Sequence, residues 1–216
     1  YVFGLLGTGA YTELFNEELA TSSARVPFTA DAERFDEVVT FGKDLLWWAT
    51  FGERFRPTDG AGKPVRRLPA GTAKNTKAVP GAGDKYPESY SYDPATETVT
   101  VGDGEFGPVA PQVWEFEVSG LKVVQSWLGY RMKKRAGKKS SDLDDIRPTS
   151  WTFSTEFVEL LAVLEHFVTA DATATKLLEQ VVSGELIGTD LFPTPTDDER
   201  AAPKTSRKSN SPSLFD

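Results

Sequence analysis

Two stretches of this chain concentrate positive charge. Gly120 to Lys139 reads GLKVVQSWLGYRMKKRAGKK and holds Lys122, Arg131, Lys133, Lys134, Arg135, Lys138 and Lys139, with no acidic residue between them. Residues 55–85 hold Arg56, Lys63, Arg66, Arg67, Lys74, Lys77 and Lys85 against two acids, Asp59 and Asp84. The chain as a whole has a net charge of −8, so these blocks sit between acidic ones. Lysine and arginine neutralise phosphates and release counterions, which gives affinity without sequence preference. Glutamine, serine, asparagine and arginine can read base edges in a major groove. Local charge is a better guide to a polyanionic partner than the global isoelectric point. The expectation is therefore a double-stranded DNA surface. In it Lys133, Lys134, Arg135, Lys138 and Lys139 grip phosphates, and Lys122, Gln125, Ser126 and Arg131 lie closest to the groove. Arg66, Arg67, Lys74, Asn75, Lys77 and Lys85 form a second jaw. The bland counterpart is a solvated helix face followed by a charged loop. The rival function is a helical scaffold that docks a protein partner and binds no DNA.

Other chemistries find little support. There is no cysteine, which excludes disulfides and thiolate metal sites and makes a reducing cytoplasm the simplest setting. No phosphate-binding loop with Gly-Lys-Ser/Thr, no HExxH and no GxSxG occurs. GLLGTGA near the start lacks the spacing of a dinucleotide loop, and its glycines are better explained as a helix start or as the cut end of a longer chain. His166, the only histidine, reads as a structural or surface residue. Glu115 and Glu117 are two apart; paired carboxylates can do acid–base work, but a solvated strand face explains them more simply. No apolar run approaches the roughly 20 residues of a membrane span. The segment is expected to need no cofactor and no metal.

The elements that must position the basic residues follow from periodicity. Tyr11, Leu14, Phe15 and Leu19 predict a helix over 9–20. Thr29 or Asp31 caps a second helix, with Phe35, Val38, Val39, Leu45 and Leu46 on one face, ending near Phe51–Gly52. Residues 57–87 are rich in Gly, Pro, Thr and Lys and predict a long loop or short edge strands. Strands follow around Val99 and Val101. VWEFEV predicts a half-buried strand with Trp114, Phe116 and Val118 inward. Leu121, Val124, Leu128 and Met132 place the basic segment on a helix. Two further helices are predicted over 152–169 and 172–183, and a disordered tail from 193 to 216. The sum is an α+β fold, helices flanking a small, mostly antiparallel sheet. Its parts are a helical stretch 1–56, loop and sheet 57–120, and a helical stretch 121–192, forming one recognition domain over 1–192. The apolar start YVFGLL, without an initiator Met, reads as the interior of a larger protein.

Four short motifs occur in a telling order. Arg25–Pro27 gives Arg-Val-Pro. Gly42–Leu45 gives Gly-Lys-x-Leu. Phe116–Gly120 gives aromatic-x-Val-x-Gly. Gly120–Arg131 gives Gly-x-x-Val-x-x-x-Trp-Leu-x-x-Arg. Over about residues 1–190 the chain resembles the C-terminal target-recognition region of type ISP restriction–modification enzymes, and more loosely that of type IIG enzymes. The resemblance implies a module that reads a short asymmetric DNA site. It also implies that a nuclease, a helicase-like ATPase and an adenine-N6 methyltransferase lie upstream in the parent chain, with ATP, magnesium and S-adenosylmethionine as their cofactors.

Overall fold

The computed structural model describes residues 1–21, 24–65, 67–80, 86–133 and 150–201. The fold is α+β, as the periodicities predict: helices flank a small antiparallel sheet.

The N-terminal part is a cluster of short helices on one long one. α1 (Val2–Leu6), α2 (Ala10–Leu14) and α3 (Asn16–Thr21) pack on α4 (Ala32–Ala49). The single helix expected over 9–20 is interrupted at Phe15, whose φ of −110° ends α2. Asp31 is the cap of α4: its carboxylate accepts from the backbone N–H groups of Glu33 and Arg34, satisfying donors that a helix start leaves orphaned. Leu5, Tyr11 and Val38 form the buried centre of this cluster. Two tyrosine hydroxyls hold the Arg-Val-Pro segment. Tyr1 Oη donates to the Pro27 carbonyl (2.8 Å) and accepts from the Thr29 N–H, and Tyr11 Oη donates to the Arg25 carbonyl (2.5 Å) while accepting from its N–H. The α1–α4 crossing is glycine on glycine. A Cβ on Gly4 would stand 2.4 Å from the Val38 carbonyl oxygen, and one on Gly42 would stand 2.8 Å from the Gly4 nitrogen. Gly42 opens the Gly-Lys-x-Leu motif, so that motif marks a helix contact.

The sheet has strands β1 (Lys74–Lys77), β2 (Tyr90–Asp93), β3 (Thr98–Val101) and β4 (Gly104–Gly107), in the order β1-β4-β3-β2, all antiparallel. β1 is thus the edge strand anticipated in the long 57–87 stretch. Val99, Val101 and Phe106 are fully buried on the inner face. There they meet two helices, α6 (Val123–Gly129) and α7 (Ser154–Ser183), through Val124, Leu128, Phe157 and Leu161. Ser91, Thr100, Glu105 and Lys77 are in register across the outer face.

Other elements depart from expectation. VWEFEV is not a continuous strand. Pro111 occupies the first turn of a short helix, α5 (Pro111–Trp114), where its missing N–H costs nothing. Only Glu117–Val118 is extended; this is β5, paired with β6 (Leu121–Lys122) across Ser119 and Gly120. Those two residues have φ of 50° and 81°, as a type I′ hairpin turn requires. Leu121 is therefore in a strand, 55% exposed, and not on the core face of a helix. The helices expected over 152–169 and 172–183 are one: Ala170 and Ala174 are buried and carry α7 through the stretch where large apolar residues thin out. Beyond Phe192, a helical turn α8 (Asp197–Arg200) is closed by a capping box between Thr196 and Glu199. Among the described residues no helix is long and apolar enough to cross a membrane.

Candidate nucleic-acid interface

The sheet brings one lysine of each basic block, Lys77 and Lys133, to one of its ends. Lys77 pairs in register with Glu105, next to the Gly102–Asp103 turn that joins β3 to β4. At the other edge the chain enters β2 through Pro87 and Glu88, and the Ser89 carbonyl accepts from the Gly102 N–H. Lys133 is fastened here: its backbone N–H donates to the Pro87 carbonyl (2.8 Å), and its ammonium lies 2.7 Å from Glu88. Glycines let this end close tightly. A Cβ on Gly104 would strike Val79 at 2.5 Å, and one on Gly102 would press Pro87 at 3.3 Å. Lys77 in β1 and Lys133, fastened to the Pro87–Glu88 segment that leads into β2, thus lie at the same end of the sheet on opposite edges.

The expected site residues divide by surroundings. Arg67 and Lys74 are exposed and make no ion pair among the described residues. Lys77 pairs with Glu105 at 3.3 Å, and Lys122 with Glu115 across the β5–β6 hairpin. The hydrogen bond to Glu115 raises the Lys122 pKa, with the carboxylate's charge second. Such exposed pairs are screened by solvent, contribute little and exchange readily for a phosphate. Asn75 is turned along the sheet: its amide donates to the carbonyls of Lys77 (2.8 Å) and Glu105 (3.0 Å). Ser126 is half-buried on α6.

Gln125 and Arg131, expected nearest a groove, are bonded to the domain itself. Gln125 Nε2 donates to the Trp114 carbonyl at 2.9 Å, and its own backbone carbonyl accepts from Tyr90 Oη at 3.0 Å. Arg131 lies 3.7 Å over the Trp127 ring, and Nη1 donates to the Trp127 carbonyl. Burial lowers its pKa, opposed by the nearby Glu156 carboxylate. Trp127 in turn stacks on Phe157 of α7. The Trp-Leu-x-x-Arg motif is thus a packing device that seats α6 on α7. Arg66, Lys85, Lys134, Arg135, Lys138 and Lys139 lie outside the described residues.

The carboxylates offer no acid–base pair: Glu115 is held by Lys122, and Glu117 is exposed on the hairpin. His166 is structural, stacked on Trp48 at 4.3 Å with Nε2 2.7 Å from Asp44 Oδ2.

The family comparison decides the identity. The model of the type ISP C-terminal specificity domain matches residues 1–162, three quarters of the chain. The chain belongs to that family. No curated protein and no solved structure matches it. A type ISP specificity domain belongs to restriction–modification, and a DNA-recognition role fits it. Within the specificity domain, the sequence reading passed over Phe51, Thr155 and Glu159, which converge with Arg67 on an open slot. The one sequence cue is for Phe51, in FGERFRP, where two phenylalanines alternate with two arginines.

Proposed function

We propose that this specificity domain reads a short asymmetric site in double-stranded DNA and thereby positions an adenine-N6 methyltransferase and a nuclease that precede it in the same polypeptide. The observation that carries the reading is the convergence of Lys77 and Lys133 on one end of the sheet. A four-stranded sheet is about 14 Å across at roughly 4.8 Å per strand spacing, close to the roughly 12 Å width of a major groove. Two edges so spaced can grip the phosphates that border a groove, with Lys74 adding positive charge further along β1.

The test is a salt titration of binding. Lys74→Glu, Lys77→Glu and Lys133→Glu together should weaken cognate and random duplexes alike. They should also flatten the dependence of log K on log salt by about 0.9 for each phosphate no longer neutralised. Unchanged affinity and slope in the triple variant would remove the phosphate assignment.

A further inference from the structure

The end of α4 is built around an exposed aromatic ring in a costly backbone conformation. Phe51 has φ of 51° and is 50% exposed. A bulky side chain in the left-handed region is an outlier, and such strain persists where the surroundings over-determine it. They do so here. The Phe51 N–H donates to the Trp48 carbonyl, the Gly52 N–H to the Trp47 carbonyl, and the Thr50 hydroxyl to the Leu46 carbonyl. The ring faces a slot of about 450 Å³ between the segment Arg67–Gly71 and the N-terminal half of α7. Leu68, Pro69 and Val158 supply its apolar walls. Gly71 lets the segment close on α7, since a Cβ there would meet Ala162 at 2.8 Å. Glu165 fixes the segment by accepting from the Thr72 N–H (2.9 Å) and hydroxyl (2.6 Å). Three polar groups line the slot: Arg67, Thr155 and Glu159. None of them has a side-chain partner among the described residues, and Phe51 has no ring partner there.

We propose that this slot takes one unstacked nucleobase of a DNA bound by the domain. The chemistry matches part by part. Phe51 offers a face for stacking, Glu159 an acceptor for an exocyclic amino group, Thr155 a second hydrogen bond, and Arg67 a cation for the adjoining phosphate. An apolar slot with a few convergent polar groups is the usual form of a small-molecule site, and its volume lies within the roughly 300–1,000 Å³ of such sites. A carboxylate acceptor selects adenine or cytosine over thymine, which has no amino group. The inference rests on the DNA-recognition reading.

The experiment compares binding of the whole chain to a short paired duplex and to the same duplex with one unpaired adenine or thymine. A fluorescent adenine analogue at the unpaired position reports stacking. The wild-type chain should prefer the unpaired adenine by about tenfold, the scale of a base–aromatic stack, and should quench the analogue. Phe51→Ala should abolish that preference while leaving paired-duplex affinity unchanged. Phe51→Trp should keep it, and Glu159→Gln should reduce the adenine-over-thymine ratio. Salt-dependent binding of the paired duplex with no preference for the unpaired base overturns the slot and leaves the DNA-recognition reading standing. Absence of binding to any duplex overturns both. Binding of free AMP that is lost in Phe51→Ala, with paired and unpaired duplexes bound equally, overturns the DNA base as occupant.

Discussion

Arg131 and Lys74 carry the same charge in opposite surroundings. Lys74 projects from an exposed edge strand, whereas Arg131 is half-buried on Trp127 and bonded to its carbonyl. Only the first is available to a phosphate. Arg131→Lys keeps the charge but loses the planar stack and the Nη1 hydrogen bond. It should lower stability by about 1–2 kcal/mol in a urea titration, with DNA affinity of the folded protein retained. Loss of DNA affinity at unchanged stability would return Arg131 to the interface. The sequence names the charged residues without their neighbours. The Trp127–Arg131 spacing of four on a helix was a legible cue for the contact, while Phe153, 5.2 Å from the guanidinium, was not. Gln125 was illegible for the same reason: its partner is a carbonyl eleven residues away.

Among the elements, the helices with dense apolar faces were read well, and errors fell where a local device overrode the pattern. Alternation in VWEFEV suggested a strand, but Pro111 starts a helical turn and Ser119–Gly120 closes a hairpin just beyond it. The predicted gap near residue 170 was an absence of large side chains and not of helix. Its alanines are good helix formers and let neighbouring helices approach closely. The α1–α4 crossing shows the same dependence on small residues. Gly42→Ala gains up to about 1 kcal/mol of helix propensity. It also places a methyl group against the Gly4 backbone, where overpacking costs about 1–3 kcal/mol. The expected outcome is a net loss of stability, read as a lower urea midpoint. Gly9→Ala is the control, since its Cβ would meet only side-chain atoms at 3.6 Å or more. Equal midpoints for the two variants would contradict the close crossing.

For the whole molecule, α7 is the common spine. Its 30 residues span about 45 Å at 1.5 Å each. Phe157, Leu160, Leu161 and Leu164 close the sheet core, while Ala174, Leu178 and Val181 close the N-terminal helical core. One rigid element shared by two cores should make them unfold together. Ala172→Pro, at an exposed position between them, removes a helix hydrogen bond and costs about 3 kcal/mol or more. It should split a single denaturation transition into two, followed by far-ultraviolet circular dichroism. A single transition in the variant would show that the cores are coupled by contacts other than the spine. The order of strands has a last consequence at this scale. β1 has a neighbour on one side only, so its other edge presents backbone groups that a second copy could pair with. Lys74 and Lys77 sit on that edge. The charges proposed to hold DNA would also oppose the pairing of a second copy on this edge. Neutral replacements would confound weakened binding with self-assembly, whereas glutamates separate the two.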